Sequence, residues 1–293
     1  MKASAFSYAR ATSVADALRL LGAHGDKAKL LSGGQSLMPA MNLRLLAPEL
    51  LVDIGGLTEL RGIAVSGDVL RVGAVTRHVE IAGSADIAVH APLLVEAIAH
   101  VAHPAIRNRG TLGGSLAHAD PASELPACML ALNAVIVIQG QAGERRIKAD
   151  EFFTGIYETV LSPEELLVAV ELPLARQSAA HFFQEFARRH GDYAIVGLAA
   201  QAVVARGAFS ELRLAYFGVG DRPVSAQAAD KLVGKAFAPA TLADACTALD
   251  AELEPQQDHQ ASVPMRHHLA KVLLKRCVAA LLNRPELAAG AAA

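Results

Sequence analysis

Two short stretches carry the residue types that grip a phosphate group. Ser32-Gly33-Gly34-Gln35-Ser36 directly follows the apolar run Ala28–Leu31, and Thr111-Leu112-Gly113-Gly114-Ser115 repeats its design of hydroxyl, two glycines, hydroxyl. Glycine tolerates positive φ, so successive backbone N–H groups can converge on one point. Such a concavity suits a phosphate oxygen. Ser32, Gln35 and Ser36 add neutral donors. Each stretch alone reads more readily as an ordinary turn than as a phosphate grip in a chain with 23 glycines. Two of them suggest two walls around one diphosphate.

The standard alternatives fail. There is no GxxxxGK[ST] and no GxGxxG after a strand, so neither a P-loop nor a Rossmann fingerprint is present. No Mg²⁺-type carboxylates flank the loops, which favours FAD as the diphosphate ligand. His100-Val-Ala-His103 and His267-His268 are the close histidine sets, and neither has a carboxylate or thiol at ligand spacing. No metal site and no catalytic residue is therefore assigned. Cys128 sits in an apolar helical run and reads as a structural thiol. Asp120 and Glu124 have two readings of equal weight. They cap and favour the start of a helix at Ser123–Leu132, or a carboxylate there accepts a hydrogen bond from a ribose or other hydroxyl. Arg188-Arg-His-Gly-Asp-Tyr193 packs charges and an aromatic into one turn, either a solvated hairpin or a place where Tyr193 meets a flat ring.

These residues need rigid elements to hold them. Ser13 caps a helical pattern through Leu21, and Ala28–Leu31 and Leu50–Ile54 read as strands. Ile63–Ala74 reads as a hairpin turning at Ser66-Gly67-Asp68. Helices are expected near Thr76–Gly83, Pro92–Ala102 and Ser123–Leu132, with strands at Ala134–Ile138 and Leu166–Leu172. The composition shifts at Ala175–Ala180, the expected domain boundary. Beyond it lie strands at Phe182–Arg188 and Glu211–Val219, helices near Leu242–Leu249 and Met265–Asn283, and a tail, Ala288–Ala293, that frays. Strict βαβ alternation is lacking, which favours α+β. With 293 residues, 53% apolar and 19% charged, the chain can bury two or three cores. Net charge is −2 with no basic run, which excludes a nucleic-acid groove. The N-terminus lacks an h-region and reads as mature protein. The best candidate for a membrane span, Tyr193–Ala205, is too short. Three scattered cysteines cannot ligate an iron–sulfur cluster alone, and the cytosol is the default location.

Leu31-Ser-Gly-Gly-Gln-Ser-Leu-Met-Pro-Ala-Met-Asn-Leu-Arg44, His103-Pro-Ala-Ile-Arg-Asn-Arg-Gly-Thr-Leu-Gly-Gly-Ser-Leu-Ala-His-Ala-Asp-Pro121 and Arg188–Tyr193, in this order and spacing, resemble the FAD-binding medium subunit of molybdenum hydroxylases. That family includes carbon monoxide, nicotine and xanthine dehydrogenases. The resemblance covers essentially the whole chain. It implies a vanillyl-alcohol-oxidase-type FAD domain over 1–175, in subdomains of about 1–56 and 57–175, and a smaller α+β domain over 176–293. It implies that Leu31, Ser32, Gly33, Gly34, Gln35, Ser36 and Leu37, with Thr111, Gly113, Gly114 and Ser115, hold the FAD diphosphate. Glu124 matches an acidic family position, Val101 and Ala102 lie where the chain passes the flavin, and Tyr193 lies beside the isoalloxazine ring. Gln35 stands where relatives often have His, and Ser115 where many have Asn or Asp. The implied role is an electron relay. A large subunit oxidises substrate at a molybdenum cofactor, a small subunit carries two [2Fe–2S] clusters, and FAD here reduces an external acceptor. A cytoplasmic dimer of heterotrimers follows, with peripheral association with the inner membrane face left open. A freestanding flavin oxidoreductase and a non-enzymatic nucleotide-binding scaffold are the alternatives.

Overall fold

The computed structural model describes residues 2–175 and 179–285. The chain begins with a small parallel sheet. Its strands β1 (Ser7–Arg10), β2 (Ala28–Leu31) and β3 (Leu50–Asp53) lie in the order β1-β3-β2. Parallel strands need crossovers, and helices supply them. The first is Val14–His24, where the Ser13 hydroxyl accepts from the Asp16 N–H and Ala17, Leu18 and Leu21 face inward. The second, Leu37–Asn42, starts just after the first glycine pair. These opening residues thus alternate β and α regularly, and the mixed pattern read from the sequence begins only beyond them.

Next comes an antiparallel sheet. β4 (Ile63–Ser66) and β5 (Val69–Gly73) form the expected hairpin, while β6 (Val135–Gly140) turns into β7 (Gly143–Lys148). β8 (Phe153–Gly155) and β9 (Glu158–Thr159) pair separately as a short hairpin. β10 (Leu166–Pro173) then inserts between the two earlier hairpins, giving the order β4-β5-β10-β6-β7. The helices Pro92–His100, Leu112–His118 and Glu124–Ala131 share one core with this sheet, centred on Leu70, Val72, Leu94, Leu112, Leu125 and Ile136.

The last sheet runs β11 (Ala179–Phe186), β12 (Val196–Ala205), β13 (Ala208–Phe217) and β14 (Val224–Ser225), antiparallel in that order. The sequence reading does not resolve β12, whose largely apolar run, interrupted by Gln201, lies within the stretch rejected above as a membrane span. Among the described residues no helix is long and apolar enough to cross a membrane. The run is apolar because the strand is covered on both faces, where period-two alternation disappears. Ala199, with Phe183, Ala215 and Phe217, joins the middle core. Leu198 and Ala200, with Leu214 and Tyr216, pack under the helices Pro239–Glu252 and Val263–Leu281. Gly197 pairs with Phe217, whose ring fills the space a Cβ would need. Part of the expected boundary, residues 176–178, and the tail Ala288–Ala293 lie outside the described residues.

One buried cation ties this C-terminal layer together. Arg266, 6% exposed, donates to the carbonyls of Ile195 and Gly218 and to Asp258 Oδ2 at 2.7 Å. Gly218 N–H in turn donates to Pro121 O at 2.8 Å, just beyond the second glycine loop. Partial desolvation opposes ionisation of Asp258. The N–H groups of Ala261 and Gln260 and the Arg266 guanidinium outweigh it and hold the carboxyl at about 2.

Arg266→Met strands two carbonyls and a carboxylate, and the expected loss is about 3 kcal/mol in denaturant unfolding. The wild-type contribution of Asp258 is complete above its ordinary value of 3.8. It is lost as pH falls from there through about 2, because the unfolded carboxyl takes the proton first. Asp258→Asn should flatten the acid limb of the stability curve.

Candidate functional site

The two glycine loops meet. Ser32 Oγ and Thr111 Oγ1 lie 2.9 Å apart, sharing a hydrogen bond across 79 residues of sequence. Behind them the backbones themselves touch. A Cβ on buried Gly33 would fall on the Arg109 carbonyl oxygen and 2.9 Å from Gly110 Cα, so only glycine lets these segments pack. Gly34 has φ +72°. The Gln35 side chain folds back, its Nε2 donating to Gly33 O at 2.9 Å. Among the described residues, none accepts a hydrogen bond from the N–H groups of Gly33, Gly34, Gln35 or Ser36. Backbone donors in a part-buried segment need an acceptor, and a phosphate oxygen is of the chemical type that fits such donors.

The second loop is built differently. The sequence suggests a twin of the first, but Thr111 is the N-cap of the helix Leu112–His118. Its Oγ1 accepts from Gly114 N–H at 3.2 Å, and its carbonyl accepts from Ser115 N–H. Gly113 N–H donates to Ala74 O, and a Cβ on Gly113 would lie 2.7 Å from that of Ala74. These N–H groups are used internally, so this wall offers its surface and the Thr111 hydroxyl. Ser115 also points inward, with Oγ 3.1 Å from His78 Nε2. Burial depresses the His78 imidazole to about 4, leaving it neutral.

The seven-residue helix leads away from the loops over roughly 10 Å. It ends at Ala119 (φ +50°), next to Asp120. Here the remaining candidate residues gather. The helix Pro92–His100 runs into Val101 and Ala102, the latter at φ +42°. Arg107 Nη1 donates to the carbonyls of Val101 at 2.9 Å and Ala102 at 3.0 Å and fixes this corner. Gly191 packs on Ala102 O and His103 so closely that a Cβ would sit 2.8–2.9 Å from them. The Arg188–Tyr193 turn is thereby seated against Ala102 and His103. Tyr193 stands at its edge, 65% exposed.

Asp120 and Glu124 separate in role. Asp120 Oδ1 accepts from Ala122 N–H at 2.9 Å, which shapes the turn before the helix Glu124–Ala131. Glu124 is buried, and burial, with Glu185 and Asp120 nearby, pushes its carboxyl up to about 7. A carboxyl placed only to favour a helix N-terminus would stay in water. Sequence reasoning missed Glu185, whose side chain is 4% exposed and whose Oε1 lies 3.5 Å from His100 Nδ1. It also missed Tyr157, whose hydroxyl reaches Asp120 Oδ2 at 3.4 Å. Neither carries a local motif; only the folded chain brings them here. His100 thus pairs with a carboxylate, and His267 with Asp250 at 3.4 Å. Burial pushes the Cys128 thiol well up, consistent with an inert structural role.

Residues 4–175 match the family model described as the FAD binding domain in molybdopterin dehydrogenase. Residues 181–281 match the CO dehydrogenase flavoprotein C-terminal domain. The chain is 40% identical to subunit alpha of the 6-hydroxypseudooxynicotine dehydrogenase complex of Paenarthrobacter nicotinovorans, over 97% of both chains. It is 38% identical to the nicotine 6-hydroxylase medium subunit of the same organism, over 95% of this chain and 98% of that one. Carbon monoxide dehydrogenase from Hydrogenophaga pseudoflava, solved without the Mo-pyranopterin moiety of its cofactor, superimposes with a TM-score of 0.95. It is 36% identical and covers 97% of this chain and 99% of its own.

Two of the buried titratable groups, His78 and Glu124, push stability in opposite directions with pH. The His78 contribution is complete above its ordinary value of 6.5 and lost as pH falls towards 4, since the unfolded imidazole takes the proton first. The Glu124 contribution is complete below its ordinary 4.5 and lost as pH rises through about 7. Thermal melts should show His78→Gln resisting acid better than wild type, and Glu124→Gln gaining stability above pH 7. Parallel curves for wild type and both variants would refute these burial effects.

Proposed function

Because this chain belongs to the family of FAD-binding medium subunits of molybdenum hydroxylases, we propose that it is the electron-relay subunit of such an oxidoreductase. Electrons leave substrate at the molybdenum cofactor of a large subunit, cross the [2Fe–2S] clusters of a small subunit, and leave this chain for an external acceptor. Bound FAD supplies the redox chemistry. The protein's part is to hold, orient and shield. The observation that carries the reading is the hydrogen bond between Ser32 and Thr111, which makes one cleft of two loops.

The free N–H groups of Gly33 to Ser36, in the segment from Leu31 to Leu37, bind one side of the diphosphate. The Thr111, Gly113, Gly114 and Ser115 wall closes the other. This division of labour uses neutral groups, so the phosphates keep their charge and meet oriented dipoles. Glu124 accepts from a hydroxyl of the ligand, a use suited to a carboxyl with few protein partners. Val101 and Ala102, held by Arg107, form a rigid backbone edge for the flavin, and exposed Tyr193 supplies an aromatic face. No group here needs to act as a general base. The FAD-binding part spans 1–175, with subdomains of about 1–56 and 57–175, and 176–293 forms the second part. The holoenzyme is a cytoplasmic dimer of heterotrimers.

Gly33→Ala drives a methyl into the Arg109 carbonyl and should part the loops. The purified complex is expected to lose at least about tenfold in flavin content by absorbance, with far-UV dichroism unchanged. Gly114→Val, whose Cβ would lie 2.7 Å from Thr111 Oγ1, should do the same by breaking the cap. Normal flavin content in both would overturn the diphosphate assignment. Tyr193→Ala should retain FAD and change the rate of flavin reoxidation; unchanged kinetics would remove Tyr193 from the site.

A further inference from the structure

The chain has four tyrosines. Tyr216 is buried, and Tyr8 bonds to Asp53. The other two, Tyr157 and Tyr193, are 56% and 65% exposed. Both lie within electrostatic reach of Asp120, and Tyr157 also within reach of Tyr193. They come from unrelated elements, a turn between two strands and the loop after β11.

Tyr157 is held in a costly conformation. It is the second residue of the two-residue turn between β8 and β9, with φ +56°. Turns with a left-handed second position select glycine or asparagine there, and a bulky aromatic in that region is an outlier. It is the only aromatic among the non-glycine residues of positive φ in the described chain. Two others, Ala102 and Ala119, border the same cleft. Such strain persists where the aim of a side chain matters. Here it lays the Tyr157 ring 4.9 Å from the ring of His118, the last residue of the helix leaving the second glycine loop. The hydroxyl is held at Asp120 Oδ2. Burial, then Asp120 and Tyr193, push that phenol up to about 12, so it stays a hydrogen-bond donor. His118 covers part of the ring, and the remainder is open.

We propose that Tyr157 is a second aromatic wall of the cofactor cleft, forming with Tyr193 a slot for the planar isoalloxazine ring of FAD. This rests on the cofactor reading above and adds a residue and a role to it. Asp120 acts through Tyr157, as a positioning residue that sets the phenol.

The test uses the full chain with FAD and two variants. A phenol beside an excited flavin quenches its emission by donating an electron. Both variants are read in a Tyr193→Phe background, where Tyr157 is the one phenol of the slot; there Tyr157→Phe keeps the face and loses the quencher, so FAD affinity should stay within about twofold while flavin emission rises. Tyr157→Asn removes the face, and affinity should weaken roughly tenfold. The same change relaxes the turn, since asparagine accepts the left-handed region, so the FAD-free chain should melt higher. A residue with only a structural role would give a lower melting temperature and normal emission. Unchanged emission in both variants overturns the proposal, whether or not affinity falls. A wild-type chain that takes up no FAD overturns the cofactor reading and this one with it, an outcome distinct from normal binding by both variants.

Discussion

Everything about the cleft depends on two backbones being allowed to touch. The segment leaving the small parallel sheet and the segment entering the helix Leu112–His118 meet at Gly33, against Arg109 and Gly110, with no side chain between them. Close backbone approach is a use of glycine distinct from its access to positive φ. Gly33 serves the first purpose and Gly34, at φ +72°, the second. The adjacent pair thus divides two tasks that its sequence signature does not distinguish. The hydroxyl pair of Ser32 and Thr111 then bridges the two segments at 2.9 Å.

Around this contact the electrostatic design is restrained. Near the cleft, burial disfavours charge on His78 behind the second loop, on Glu124 beyond it and on the Tyr157 phenol. Full charges lie at corners where they hold backbone: Arg107 clamps the carbonyls of Val101 and Ala102, and Arg266 clamps those of Ile195 and Gly218. A site arranged this way has its field set by fixed dipoles, which reorganise little when charge arrives.

Much of this was legible in the sequence, for definite reasons. The ordered set of glycine loops and the Arg188–Tyr193 stretch pointed to the family, because each motif is local and sequence preserves local order. The strands of the middle sheet showed in β-branched runs such as Val135 to Ile138. What escaped was whatever depends on partners distant in sequence. β12 has no alternation because both its faces are covered, and a one-dimensional pattern cannot report a second cover. The differing hydrogen bonding of the two glycine loops depends on Ala74 and Thr76, which supply acceptors to one loop alone. Tyr157 contradicts the preference of its own turn, and such contradictions are where local rules yield to a site.

The two-faced sheet also bears on inheritance. Its inner residues, Phe183, Ala199, Ala215 and Phe217, complete the core that houses the helices Pro92–His100 and Glu124–Ala131. A C-terminal half exchanged between relatives would arrive with foreign knobs for those helices' grooves. The two halves are therefore constrained to diverge together, as a single lineage of packing, even where loops at the cleft mouth vary freely.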